Sequence, residues 1–382
     1  MNLSSLDSKP LTQCQICGCS HLDSILFLGY VPPVNEMLTV GGVPNVEMRF
    51  PLELMRCKQC TLVQIGYEVD PRILFPHSYP YLSGTTKILR ENFKNLAQES
   101  NALFHLSQSD LIIDIGANDG TLLAPFRDLG AKVLGIEPSQ AADVARTKGI
   151  EMVKDYFSQK TAQQVRAHYG SAKIITAANV FAHIKNVHEI IEGILHLLSS
   201  DGVFISESHY LLDLVQTLQY DTIYHEHLRY YALGSLMKLF EQHGLEIFRV
   251  KRIATHGGSI RVYAARKGQF PIHTSVTQSL KEEDEAGLTD GACFRTFRQR
   301  VIQSKLDLIS LITDIKAQGR RIYGIGAPSR ASTLINYVGL DDGLIDAVME
   351  VAGSHKLNKY IPGTRVPVLD EQKLYQDQPE YV

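Results

Sequence analysis

The densest chemistry in the chain is Asp221-Thr-Ile-Tyr-His-Glu-His-Leu-Arg-Tyr-Tyr231, where Tyr224, His225, Glu226 and His227 follow one another without a break. Imidazole titrates near neutrality and phenol near pH ~10, and a neighbouring carboxylate can orient an imidazole and fix its tautomer. Extended, the segment shows His225 and His227 on one face and Tyr224 and Glu226 on the other; coiled, it stacks Tyr224 over His227. Either way it is equipped to move a proton at carbon. Two rival accounts use the same residues: a metal site built from His225, His227 and a carboxylate such as Glu207, or a set of satisfied structural polars.

A second cluster lies near the N-terminus. Cys14-Gln-Ile-Cys17 and Cys57-Lys-Gln-Cys60 each put two thiolates on one tight turn, and two such turns supply the closed tetrahedral sulfur shell that zinc prefers. The expected role is structural, since about 60 residues make a poor core alone. Cys19 and Cys293 are left over as spares.

The third is Leu111–Pro138, LIIDIGANDGTLLAPFRDLGAKVLGIEP, an apolar run ending in Asp114, a turn through Gly116, Asn118 and Gly120, and a second strand ending in Glu137-Pro138. This is half of a nucleotide-binding βαβ unit, with Glu137 spaced to accept both hydroxyls of a ribose. A dinucleotide site wants Gly-x-Gly-x-x-Gly under a pyrophosphate, whereas here Asn118 and Asp119 occupy the turn. Acids suit a cation, which points to S-adenosylmethionine (SAM) over NAD or a bare structural unit.

The elements that must hold these clusters read as alternating strands and helices. Ala172 to His183 is a buried strand running out into Asn179 and His183, where open α/β sheets collect ligands; a helix over 186–199 and a strand over 202–207 follow. A Pro- and Tyr-rich crossing with Tyr79 and Tyr81 leads into an amphipathic helix near 86–105, and either tyrosine faces a cavity or fills the core. His256-Gly257-Gly258 is a turn able to converge backbone N–H groups on an anion, or an ordinary hairpin entry. A polar helical connector over about 275–318 carries Lys281-Glu-Glu-Asp-Glu285, expected as a solvated face. Residues 320–338, RRIYGIGAPSRASTLINYV, restart the strand–turn–helix pattern with Arg330 in place of an acid, so a diphosphate fits there.

At 382 residues the chain should hold two or three domains. A hydrophobic content of 44% and a charged content of 21% are those of a globular protein, and a net charge of -3 argues against nonspecific nucleic-acid binding. The first residues lack a signal-peptide pattern and no run reaches the ~18 apolar residues of a membrane span, so a cytoplasmic protein with no membrane partner is expected.

Together these motifs resemble a known family, the zinc-containing SAM-dependent C-methyltransferases that branch nucleotide-linked deoxysugars at C-3. The marks are the two cysteine pairs, YPYLSGTT, DIGANDGTLL with GIEPS, NVFAHI, YHEHL, HGGSIRVY, GAPSRASTLINY and YIPGTRVPV. The resemblance implies an α/β architecture: a zinc-binding β module over 1–72, a central Rossmann-like SAM methyltransferase domain over 73–270 and a C-terminal Rossmann-like nucleotide-sugar domain over 271–382. It implies structural zinc on Cys14, Cys17, Cys57 and Cys60, and SAM held by Asp114, Gly116 and Glu137, with Tyr81, Asn118, Gly120, Pro138 and Asn179 around it. His227 is implied as the favoured base, Tyr224 as its partner or the alternative base, and Glu226 and His183 as polar groups around the sugar. Tyr79, His256, Gly257, Ser329, Arg330 and Lys356 are expected on the substrate.

Departures from the family pattern fall in the last domain, at Ser329-Arg330-Ala331 and at Val351-Ala-Gly-Ser-His-Lys356, where Glu350 comes one position early. The chemistry follows: His227 takes a proton at C-3 beside a 4-keto group, with Tyr224 or His225 donating to the enolate oxygen. O- or N-methyl transfer and an inactive SAM- and nucleotide-binding module are the alternatives. A monomer or weak homo-oligomer is expected.

Overall fold

The computed structural model describes residues 7–43, 46–75 and 82–382, so Tyr79 and Tyr81 lie outside the described residues. At its centre is a seven-stranded sheet in the order Leu245–Ile253, Ser259–Arg266, Leu198–His209, Ala172–Ala178, Leu111–Ile115, Lys132–Ile136, Glu151–Val153. The last five are mutually parallel, and Ser259–Arg266 runs antiparallel to both its neighbours. Strands covered on both faces read as unbroken apolar runs, and every residue of Leu111–Ile115 is buried. The chain turns from one half of the sheet to the other between Leu111–Ile115 and Ala172–Ala178. That switch point opens a crevice at the strands' carboxyl ends, where Gly116 and Asn179 stand.

Helix Lys87–Phe104 covers one face because Leu89, Phe93, Leu96 and Ala97 recur at helical spacing and are buried. It is also pinned by charge. Arg261 Nε donates to Glu207 at 2.6 Å, and Asn92 bridges the two, donating to Glu207 at 2.9 Å and accepting from Arg261 at 3.0 Å. Arg261 and Glu207 are each 1% exposed; removing either would strand a buried charge at a cost of about 3–5 kcal/mol.

The N-terminal module is a four-stranded antiparallel sheet, Leu22–Val31, Phe50–Cys57, Val63–Ile65 and, from far along the chain, Arg229–Tyr230. Arg229 pairs with Gln64 and Tyr230 with Val63, so the strand that follows the histidine segment is the edge of the cysteine module. One apolar core runs through both, from Leu52 and Leu54 to Ile175, Phe181 and Phe204.

The C-terminal unit has its own core and a smaller sheet, Tyr323–Ile325, Ala347–Glu350 and Pro367–Asp370 in parallel with Lys359–Tyr360 antiparallel at the edge. The connector is two helices, Thr274–Glu285 and Cys293–Ala317. Its charge run is not wholly solvated. Glu283 is 3% exposed and accepts from Tyr210 Oη at 2.9 Å and from the amides of Leu233 and Gly234 at the start of helix Leu233–Glu241. An acid at that end meets the helix's unpaired N–H groups and its positive pole.

Candidate active site

His227 is the best-defined group in the crevice. Its amide donates to Tyr224 O at 3.0 Å, closing a tight turn that brings Tyr224 and His227 to the same side with ring centroids 4.1 Å apart. Of the two geometries open to the sequence, the coiled one is present. Nδ1 of His227 donates to Thr222 O at 2.9 Å, which leaves Nε2 with its lone pair free to take a proton. Burial pushes the imidazole well below its usual range, and His183 and His209 add to the effect. Both effects favour the neutral imidazole, with its one proton on Nδ1.

The same turn sends His225 the other way. Its Nε2 donates to Pro51 O at 3.2 Å and its ring meets Phe50 edge-on at 5.9 Å, inside the cysteine module. His225 thus cannot donate to an enolate in the crevice, and a site joining it to His227 and Glu207 does not form. Among the described residues the one group of three or more potential metal ligands is the four cysteines.

Around His227 stand His183, with centroids 4.9 Å away, and His209, at 5.0 Å; His209 in turn lies 5.3 Å from His256. A cavity is lined by Asn179, His183, Ser208, His209 and His227. Asn179 Oδ1, His183 Nδ1 and Ser208 Oγ are buried there without a hydrogen-bond partner, an arrangement suited to a polar ligand. His209 was not among the sequence candidates. It ends a buried strand at the sheet's carboxyl edge, the same signal that singled out Asn179, so that reasoning could have found it.

Glu226 turns toward the other units. Asn35 Nδ2 donates to Glu226 Oε1 at 2.7 Å, and Ser329 Oγ donates to Asn35 Oδ1 at 2.9 Å. One relay thereby joins the cysteine module, the histidine segment and the C-terminal unit. Arg330 is engaged as well, its fork gripping Asp221 at 2.7 and 2.6 Å. Both partners are partly exposed, so the pair is worth about 1 kcal/mol or less and opens readily to a competing phosphate. Lys356 Nζ donates to Ala327 O at 2.5 Å, and burial lowers its pKa.

On the SAM side, Asp114 is 3% exposed and accepts from Thr176 Oγ1 at 2.6 Å. Burial pushes it up to about 8, the Thr176 hydroxyl opposes this, and the carboxylates of Glu137 and Glu207 add to it. Such a group is stabilised by an incoming cation. Glu137 accepts from the Asn118 amide at 3.1 Å and the Ser139 amide at 2.9 Å, directly before Pro138 in the chain. Asn118 Oδ1 accepts from Ser83 N at 2.9 Å.

The glycines of both loops are packed on their side-chain faces. A Cβ on Gly116 would lie 2.5 Å from Val180, and one on Gly120 would lie 2.9 Å from Ile150; both have positive φ. Their side-chain faces are filled by protein, so they serve the turn and its packing and leave no ligand room on that side. Asp119 is likewise spent, paired with Lys148 at 2.9 Å and accepting from Gly84 N at 3.2 Å, which removes it from the argument for a cation. Gly257 and Gly258 have φ of +83 and +128 and pack on Gln219 and Asp213; Gln219 Nε2 donates to Gly257 O at 2.6 Å. That loop places the His256 ring 5.3 Å from His209.

The sulfurs of Cys14, Cys17, Cys57 and Cys60 all lie within 4.8 Å of one another. A tetrahedron with metal–sulfur bonds of ~2.3 Å requires sulfur separations of about 3.8 Å, so the cluster fits a closed four-sulfur site.

Comparison with known proteins adds three family models: a zinc binding domain over residues 14–75, a methyltransferase domain over 88–250 and a C-methyltransferase C-terminal domain over 254–382. The chain is 30% identical over 375 residues to C-methyltransferase NovU of Streptomyces niveus, covering 98% of this chain and 89% of that protein. Solved structures are more distant. Magnesium protoporphyrin IX methyltransferase from Synechocystis, with bound SAH, is 17% identical with a TM-score of 0.37 over 47% of this chain and 83% of that one. The plantazolicin methyltransferase BpumL, in complex with SAH, is 14% identical with a TM-score of 0.39 over 51% and 90%.

Proposed function

The chain belongs to the zinc-containing, SAM-dependent C-methyltransferases, and from that premise we propose that it methylates C-3 of a nucleotide-linked 4-keto deoxysugar. The observation that carries this reading is His227, a neutral imidazole locked by Thr222 with Nε2 free among three further imidazoles and a phenol. O- or N-methylation needs less base and no ketone. A carbon acid beside a ketone must lose its proton before it can react, and a positioned base is what that step demands.

When bound, SAM supplies an electrophilic methyl group. Asp114 and Glu137 would hold it, the first against its positive charge and the second at its ribose, with Asn118, Pro138 and Asn179 around the same crevice. His227 Nε2 takes the proton from the substrate carbon while Thr222 O keeps the imidazolium oriented. The depressed basicity of His227 in the free protein is offset when a negative enolate forms beside it. Tyr224, tilted by 36° against His227 with ring centroids 4.1 Å apart, packs one face of the imidazole. His183, with Asn179 and Ser208, offers unpaired polar atoms to sugar hydroxyls, while His256 lines the approach from the side of Arg330. Arg330 would exchange Asp221 for a phosphate, with Ser329 and Lys356 nearby on the same unit, and zinc on the four cysteines would hold the N-terminal sheet.

The test is incubation with SAM and a panel of nucleoside-diphosphate 4-keto-6-deoxy sugars, read by mass spectrometry and carbon NMR. The expected product carries one added methyl on C-3. A methyl on oxygen or nitrogen would overturn the reading.

A further inference from the structure

His209 has no role in the steps above, yet it stands within the catalytic group. It ends the Leu198–His209 strand, paired with Ser259 of the neighbouring strand. The next residue locks that end: Tyr210 N donates to Gly258 O at 3.1 Å and Tyr210 Oη to buried Glu283 at 2.9 Å. The ring stands nearly perpendicular to His227, at 87°, with centroids 5.0 Å apart, and lines the same cavity. His227 and His225 each spend a ring nitrogen on a backbone carbonyl. Among the described residues neither nitrogen of His209 is so tied, so both remain available to a ligand.

We propose that His209 donates the hydrogen bond that stabilises the substrate's carbonyl oxygen as it becomes an enolate, an assignment that rests on the C-methyl transfer reading. A reacting group held against His227 Nε2 in that cavity also meets His209, whose ring centroid lies 5.0 Å from that of His227. His225, expected in this role, points into the cysteine module. In the step itself the C–H proton passes to His227 Nε2, the C–H electron pair becomes the C=C bond, and the carbonyl π pair moves onto oxygen. His209 keeps its proton throughout and only donates. Burial, His256, His183 and Arg330 hold its pKa down to about 3, so it carries a single N–H and is poised as a neutral donor. A fixed donor of this kind aimed at developing charge is worth ~10²-fold or more in rate.

The test uses the full chain with bound S-adenosylhomocysteine in D₂O and the same panel of 4-keto sugars, following deuterium entry at C-3 by NMR, alongside steady-state kcat and KM with SAM. His209→Phe should slow exchange and kcat by about 10²-fold with KM within about threefold. His209→Gln, which restores an N–H, should recover at least about tenfold of that loss. SAM affinity and melting temperature report whether each variant is folded. Wild-type exchange rates in His209→Phe would overturn the role, as would a Gln variant no better than Phe. If the wild type itself exchanges no proton with any sugar, the C-methyl reading falls and takes this assignment with it.

Discussion

The molecule builds the same turn twice. In the central unit Glu137, at the tip of the second strand, accepts from the amide of Asn118 in the glycine turn and from Ser139 just beyond itself, at 3.1 and 2.9 Å. In the C-terminal unit Glu350 accepts from Ala327 in its glycine turn at 2.9 Å and from Val351 just beyond itself at 3.1 Å. One carboxylate clamps each turn by two backbone N–H groups. What differs is the surroundings. The central strand carries buried Asp114 before its turn, and Asn179, at the end of the neighbouring strand, shares a cavity with His183, His209 and His227, whereas the C-terminal strand has Gly324 there and its turn accepts from Lys356 at Ala327 O. The two turns share a backbone clamp and differ in the charges placed beside them.

The sharpest way to break this comparison is to remove one reactive group from each side. His227→Gln should lower kcat by about 10²-fold and leave SAM affinity within about twofold, while Lys356→Ala should act mainly on KM for the sugar nucleotide. Steady-state kinetics with isothermal titration will show it, and a KM effect from His227→Gln alone would refute the division of labour. Next in size, Glu137→Ala should weaken SAM binding by about tenfold or more and spare the sugar nucleotide, with Glu350→Ala doing the reverse. Calorimetric titration of each ligand against each variant reads the crossing directly.

The last effect is read in pH and concerns Asp114. Its folded pKa of about 8 stands above the ordinary 3.8, so the folded chain holds that proton, and the stability this brings is lost as pH rises through about 8. A bound cation favours the ionised form, so SAM affinity should rise from pH 6 to 8 by at most about tenfold per unit. Asp114→Asn should flatten that part of the profile. An unchanged slope would place the cation elsewhere.

Much of this was legible in residue order, because its signals are local. Apolar runs of β-branched residues, positive-φ glycines and paired cysteines mark the two turns and the cysteine cluster without reference to distant chain. The direction of His225 was not legible, since alternation cannot say whether four polar residues lie extended or close into a turn. Nor was the relay from Ser329 through Asn35 to Glu226, whose members come from three units, or the burial of Glu283, whose partners Tyr210, Leu233 and Gly234 lie far back in the sequence. Tertiary contacts decide such pairings, and local patterns carry no record of them.

The pairing of Arg229–Tyr230 with Val63–Ile65 has an evolutionary consequence. His227, the proposed base, is mounted two residues from a strand whose hydrogen-bonding neighbour belongs to the cysteine module. Recombination that exchanged 14–75 between relatives, without 220–231, would graft a foreign edge onto the catalytic turn and misplace His227. The two stretches, far apart in the sequence, therefore work as one structural part, and a shortened chain lacking the cysteine module should retain the Asp114–Glu137 crevice while losing the edge that positions His227.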